Sequence, residues 1–166
     1  MKYVNILISF FCTYFIFGQI PNGYYNSAEG YIGSALKTKL NLIIKDHIEF
    51  PYTSGSVDVW DILKQTDKDP NNPNNVILLY SGWSKNGEEE YNGGNGWNRE
   101  HVWAKSHGNF GNEEGPGTDV HALRPCDVSV NSARNNRWFA ECSIPYIDGD
   151  GPTGCYTSST EWVWKP

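Results

Sequence analysis

The sequence predicts an α+β fold, in which helices surround a small mixed sheet. Two segments in the first half place apolar residues at helical spacing, and one short apolar run is bounded by turn residues. In the second half the predicted order is strand, loop, strand, helix. No internal repeat or domain-sized linker interrupts the chain, so we expect one domain over residues 20–166.

The first 19 residues are typical of a secretory signal peptide. Lys2 precedes a long apolar run, and the expected cleavage site follows Gly18 or Gln19. The run is too short to favour a membrane anchor, and no other stretch is long enough to span a membrane. We therefore expect a secreted or periplasmic protein without a membrane span, and we expect it to be a monomer.

Two helices are predicted in the first half of the domain. The first runs from about Ser34, near its cap, to Asp46, and it has one apolar face at helical spacing. The residues of that face are Leu36, Leu40, Ile43 and Ile44. A second, shorter helix lies within "SVDVWDILKQT", residues 56–66, and its buried residues are expected to be Val59, Trp60 and Leu63.

The middle of the chain is predicted to consist of loops around one strand. Prolines among Asn and Asp residues predict a loop at "DKDPNNPNN", residues 67–75. The apolar run "VILLY", residues 76–80, predicts a buried strand. The polar, glycine-rich stretch "SKNGEEEYNGGNG", residues 84–96, predicts a long surface loop.

The second half carries the elements on which the functional interpretation depends. "GWNREHVWAKSHGNF", residues 96–110, predicts a strand, and "GNEEGPGTD", residues 111–119, predicts a loop. "VHALRP", residues 120–125, predicts a short strand that ends at its proline. "DVSVNSARNNRWF", residues 127–139, predicts a helix capped by Asp127 or Ser129. The residues at helical spacing within it are Val130, Arg134 and Trp138.

Without the first 19 residues, the chain has 12 basic and 19 acidic residues, a net charge of −7. Such a charge argues against a protein that coats DNA without regard to sequence. From Trp97 to Trp138, however, five basic residues balance five acidic ones. A polyanion can therefore approach this segment, especially if a divalent cation joins it.

Three cysteines remain after the leader, which contains Cys12. Disulfides persist in exported proteins, and the absence of a CxxC pair argues against a zinc ribbon. All three pairings are possible, but a helix of about ten residues between Cys126 and Cys142 would hold its ends ~15 Å apart. A disulfide needs Cα atoms within about 7 Å. We therefore expect a Cys142–Cys155 bridge and a free Cys126.

Glu100 and His101 are neighbours in the strand predicted at 96–110. Neighbouring side chains of a regular strand point to opposite faces, so this pair can line one cavity only where the backbone bends or the strand ends. A surface glutamate beside a half-buried histidine is the more common meaning of such a pair. Two further polar groups favour a catalytic site instead. They are Asp119, His121 and Arg124, and then Asn131, Arg134 and Asn135 on one helix face.

The chemistry of these groups fits cleavage of a phosphodiester bond. A helix packed on a two-stranded hairpin can bring Asn131 across to Glu100. Carboxylate and amide oxygens are hard ligands suited to Mg²⁺, for which Mn²⁺ can substitute. An imidazole of ordinary pKa can take a proton from water, and guanidinium groups bind phosphate oxygens.

"NREHVWAKSH" and "DVHALRPCDVSVNSARNN" together resemble the endonuclease I family of secreted and periplasmic bacterial nucleases. The resemblance extends from about Tyr24 to the chain end, and it implies a ββα-metal (His-Me finger) site. By position, His101 matches the general base, Glu100 and Asn131 match the ligands of one Mg²⁺, and Arg134 matches a phosphate contact. We also expect substrate binding by Arg99 and Arg124, and supporting roles for His121 and Asp119.

The resemblance implies a nucleic-acid substrate, DNA or RNA, cleaved to leave 5′-phosphate and 3′-hydroxyl ends. Contacts confined to the phosphates would make cleavage largely independent of sequence. Two departures from the family pattern are visible. Ala122 stands where a second histidine is common, and family members usually continue past "EWVWKP", so we expect the domain to lack its C-terminal part.

Two other functions remain open at this point. One is a zinc hydrolase that acts on peptides through His101, His107 and His121, although the sequence has no HExxH motif. The other is a non-catalytic secreted binding module. Seven Trp and ten Tyr would suit glycan contact, and "DGDG", residues 148–151, could form a calcium turn.

Overall fold

The computed structural model describes residues 20–166, so the predicted leader and Cys12 lie outside the described residues. Helices and small sheets confirm the predicted α+β class, with three sheets in place of one. No helix in the described part of the chain is long and apolar enough to cross a membrane. The chain divides between His47 and Ile48 into two compact units.

The N-terminal unit contains a 3-10 turn at Asn26–Ala28 and helix α1, Gly33–Ile44. The helix confirms the prediction that began at Ser34, although it ends two residues before Asp46. No residue of α1 is buried, whereas Ala28 in the 3-10 turn is buried.

The second unit begins with helix α2, Val59–Thr66, which confirms the second predicted helix and its buried face. The Asp58 carboxylate accepts hydrogen bonds from the backbone N–H groups of Trp60 and Asp61. The Asp61 carboxylate in turn accepts a hydrogen bond from the Asp58 backbone N–H. This reciprocal cap satisfies donors that a helix start otherwise leaves unpaired.

The first sheet joins strands β1 (Lys68–Asp69), β2 (Asn72–Ile77) and β3 (Ser84–Asn86) in that order, all antiparallel. The loop predicted at 67–75 was wrong in part, because β1 and β2 occupy most of this stretch. Its prolines lie at the turn between the two strands and at an irregularity in their register. The strand predicted at 76–80 starts earlier and ends at Ile77. β3 also occupies the start of the predicted surface loop.

The second sheet pairs β4 (Trp97–His101) with β5 (Leu123–Asp127) in an antiparallel ladder, Glu100 facing Arg124. β5 does not end at Pro125 as predicted. Proline lacks an N–H, but a two-stranded sheet needs no donor on the outer side, and the Pro125 carbonyl accepts from Leu79 N at 2.8 Å. A short helix, α3 (Lys105–Gly108), follows β4.

Helix α4, Val128–Arg134, packs on both strands of this sheet. Asp127 is its N-cap and accepts from the N–H groups of Ser129 and Val130. The predicted continuation to Trp138 was wrong, because Asn135 has φ +52° and ends the helix.

A third sheet, not predicted, orders β6 (Trp138–Phe139), β9 (Glu161–Trp164), β8 (Gly151–Thr157) and β7 (Ile144–Asp148). Only β6 and β9 run parallel among its pairs. Trp162, fully buried, packs in one core cluster with Tyr80, Val130 and two cysteines.

The predicted Cys142–Cys155 bridge is absent, and all three cysteines of the described chain are free thiols. Cys155 lies in the core, where its Sγ contacts the Tyr80 carbonyl at 3.3 Å. The half-buried Cys142 contacts the carbonyls of Ala140 and Tyr156 instead. The two sulfurs thus have different surroundings, and no bridge closes the loop between Cys142 and Cys155.

Candidate active site

A cavity of about 410 Å³ opens between β4, α3 and α4. Its wall includes Arg99, Glu100, His101, Asn131 and Arg134, so five of the predicted site residues meet here. Asn98 and Tyr52 also line the cavity. β4 ends at His101, which is the condition under which neighbouring residues can line one cavity.

Glu100 is a buried carboxylate held by two donors. Its Oε1 accepts a hydrogen bond from the Tyr80 hydroxyl at 2.8 Å and pairs with the Arg134 guanidinium at 3.1 Å. Burial raises the pKa of Glu100 to about 7, although the Arg134 charge and the Tyr80 hydrogen bond both act to lower this pKa. The same desolvation makes a cation a favourable partner for this carboxylate.

His101 is oriented by a backbone carbonyl. Its Nε2 lies 2.9 Å from the Gly117 oxygen, and because a carbonyl can only accept, Nε2 carries the proton. Nδ1 of the neutral ring is then the nitrogen that can accept a proton. Burial lowers the pKa of His101, which favours the neutral form. Its ring centre lies 5.8 Å from that of Tyr52 and 6.0 Å from that of Phe110.

Asn131 lies in α4 and points its amide toward β4. Its Nδ2 donates to Asn98 Oδ1 at 2.7 Å, and the Asn131 side chain lines the cavity. Glu100 and Asn131 thus offer a carboxylate and an amide oxygen. This donor set fits Mg²⁺, which prefers few protein oxygens and keeps several waters.

The guanidinium of Arg134 is buried, and its partners are the Glu100 carboxylate and backbone carbonyls. It donates to the carbonyls of His101 at 3.2 Å and Val102 at 2.8 Å, in addition to its pair with Glu100. It also lies 4.7 Å from the Phe139 ring centre. Arg134 therefore ties together the carboxylate and the backbone that follows the histidine.

The other predicted residues lie at or beyond the edge of the cavity. Arg99 lines it, but its guanidinium is sandwiched between the rings of Tyr52 and Trp60, at 3.5 and 4.0 Å. Arg124 does not line the cavity and pairs with Asp67 at 3.0 Å.

His121 and Asp119 are exposed and do not line the cavity either. The Asp119 carboxylate accepts from the His121 backbone N–H at 2.9 Å, which closes the turn before β5. Their side chains are not brought to the other predicted site residues.

Sequence reasoning missed Tyr80, Gly117 and Asn98. Asn98 carried a signal, since it precedes Glu100 by two residues and so shares its strand face. Tyr80 and Gly117 carried none, because each reaches the site from a distant segment. Tyr80 has φ +71°, which turns the chain as the predicted apolar strand ends.

The three histidines of the zinc alternative are not assembled. His107 stacks on Trp138, and within residues 20–166 a single group of three potential metal-ligating side chains lies close together. It comprises Asp127, Asp148 and Asp150 and contains no histidine. Lys85 Nζ already lies 3.1 Å from Asp127 there.

The comparisons with known proteins agree on one family. The family model for Endonuclease I matches residues 32–163. The "Extracellular ribonuclease" of Bacillus subtilis (strain 168) is 53% identical over 136 residues, which cover 76% of this chain and 45% of the relative. The protein of the same name from Bacillus amyloliquefaciens is 57% identical over 130 residues, or 77% and 43% of the two chains.

The chain therefore spans less than half the length of these curated relatives. No solved structure gives a significant match.

Proposed function

The chain belongs to the endonuclease I family, and from this we propose that it is a secreted, largely sequence-independent endonuclease. In this proposal His101 is the general base, and Glu100 and Asn131 would hold one Mg²⁺. The observation that carries it is that His101, oriented by Gly117, lines one cavity together with Glu100 and Asn131. The arrangement of β4, β5 and α4 is then the ββα-metal motif implied by the sequence.

The proposed reaction is hydrolysis by water. Nδ1 of His101 takes a proton from a water molecule, whose oxygen attacks phosphorus in line with the leaving 3′ oxygen. A bound Mg²⁺ would neutralise the charge that develops on the phosphate and on this oxygen. Cleavage leaves a 5′-phosphate and a 3′-hydroxyl. Because no 2′-hydroxyl takes part, the chemistry suits DNA and RNA alike, and the names of the relatives support RNA as one substrate.

The arginines receive different roles in this proposal. Arg134 acts as a positioning residue, because its contacts fix Glu100 and the backbone after His101. Arg99 at the cavity and the half-exposed Arg124 remain candidates for substrate binding. Asp119 and His121 would support the site by shaping the turn that leads into β5.

Digestion of plasmid DNA and of RNA, with and without EDTA, tests the proposal. We expect both polymers to be cut in Mg²⁺ and neither in EDTA, with activity restored by added Mg²⁺ or Mn²⁺. Cleavage that persists in EDTA would refute the role of the metal. Absence of cleavage with every metal tested would refute the assignment as a nuclease. Glycan binding without cleavage would favour the binding-module alternative.

A further inference from the structure

Three aromatic rings contact one another on the surface of the second unit. His107 stacks on Trp138 with ring centres 3.6 Å apart and planes 8° apart. Trp103 meets both rings edge-on, at 6.0 Å from His107 and 6.1 Å from Trp138. This aromatic platform consists of Trp103, His107 and Trp138.

The platform is open to solvent although it is apolar. Trp103 and Trp138 are each 55% exposed, so only part of each ring system is covered by its neighbours. Isolated exposed aromatics are ordinary, but a contiguous exposed cluster marks a binding surface. The residues come from separate elements, with Trp103 before α3 and Trp138 in β6, and their convergence is a feature of the fold.

The platform is continuous with the rim of the proposed active site. The cavity is lined by residues 104–106, which lie between Trp103 and His107, and by Asn135 and Asn136, which precede Trp138. Asn136 Nδ2 donates to Ser106 Oγ at 3.3 Å and joins the two segments of rim. A nucleic-acid strand with a phosphate in the cavity can therefore bring a neighbouring nucleotide onto these rings.

We propose that the aromatic platform stacks an unpaired base next to the cleaved linkage, so that single-stranded nucleic acid is bound in preference to duplex. This inference rests on the proposed nuclease function. Aromatic side chains accept any base through its π-face, which suits an enzyme without sequence preference. Bases inside a duplex already stack on one another, and exposing one costs a few kcal/mol. Lys105, at the cavity between two platform residues, adds a charge for the phosphates.

The test measures dissociation constants in the His101→Ala background, where cleavage does not interfere. The probes are a single-stranded oligonucleotide, an abasic strand of the same length and charge, and a blunt duplex. Trp138→Ala and Trp103→Ala should each weaken binding of the base-bearing strand by about tenfold. They should change binding of the abasic strand and of the duplex by less than about twofold, since neither offers an unpaired base to the rings.

Two further variants control for structure. Trp138→Phe keeps a ring and should restore most of the affinity for the base-bearing strand. Tyr91→Ala removes another aromatic residue, 57% exposed and outside the cavity, and should leave all three probes unchanged. Equal weakening toward base-bearing and abasic strands, or no change in either, overturns the platform.

The outcome for the platform is separable from the outcome for the nuclease. If the unsubstituted protein cuts nucleic acid but Trp138→Ala binds every probe normally, the platform is refuted and the proposed function stands. If the unsubstituted protein neither cuts nor binds any probe, both are refuted. Formation of dimers that Trp138→Ala disrupts, with unchanged affinity for the base-bearing strand, would assign the surface to a second copy and overturn base stacking.

Discussion

Glu100 and Asn131 share their proposed role as ligands of one cation, since both residues line the same cavity. Glu100→Ala and Asn131→Ala should each raise the Mg²⁺ concentration for half-maximal activity by at least about tenfold, because loss of a ligand weakens metal binding. Part of the lost rate should return at high Mg²⁺ or Mn²⁺. Metal titrations of the cleavage rate measure this. Unaltered metal dependence in either variant would separate the two residues.

The resemblance suggested that Arg134 contacts a phosphate, and in the structure its guanidinium is bonded to Glu100 and to two carbonyls. Lysine keeps the charge but loses the planar fork. Arg134→Lys should therefore lower kcat with little change in KM, and lower the free energy of unfolding by about 1–3 kcal/mol.

Steady-state kinetics and urea unfolding test this, with Arg137→Lys as the control. Arg137 also donates to a backbone carbonyl, that of Ser158 at 3.0 Å, but does not line the cavity. A turnover rate of Arg134→Lys equal to that of the control would contradict the positioning role.

At the scale of elements, α4 matters because it carries Asn131 and Arg134 to β4. Asp127 caps it and also pairs with Lys85 at 3.1 Å. Asp127→Ala should lower the free energy of unfolding by about 1–2 kcal/mol through loss of the cap. Asp150→Ala is the matched control, since this exposed carboxylate lies 3.9 Å from the same lysine and should cost under about 0.5 kcal/mol. Equal effects in chemical denaturation would exclude the capping contribution.

Local signals predicted three of the four α-helices in the described part of the chain. Helical spacing found α1, α2 and α4, and the position of Asp127 found the start of α4. The end of α4 was missed because it depends on a positive φ at Asn135, and Trp138 leaves the helical pattern to pair with β9. The third sheet was missed because its pairing joins segments that carry no local signal.

The site was predictable where its residues are close in sequence or follow a known pattern. Glu100, His101 and Asn131 meet in one cavity as expected. The contacts that tune them, from Tyr80 to Glu100 and from Gly117 to His101, span 20 and 16 residues. Such contacts depend on tertiary packing, which neither periodicity nor composition encodes.

At the scale of the whole molecule, the three thiols report on the packing of the second unit. Cys126 and Cys155 are buried in one core cluster, and burial raises the pKa of both. Cys142 is half-buried. A thiol reagent should therefore modify Cys142 first in the native protein and all three cysteines after unfolding without reductant. Fewer than three reactive thiols after unfolding would reveal a disulfide and contradict the structure.

The central claim is that His101 accelerates the attack of water while other groups hold the substrate. The most direct measurement compares His101→Ala with the unsubstituted protein for cleavage rate and for affinity toward the same single-stranded oligonucleotide in Mg²⁺. Loss of a general base should reduce the rate by about 10²–10⁴-fold, and affinity should stay within about twofold because the proposed ligands and the rim remain. A rate within a few-fold of the unsubstituted protein would contradict the assignment of His101 as the base.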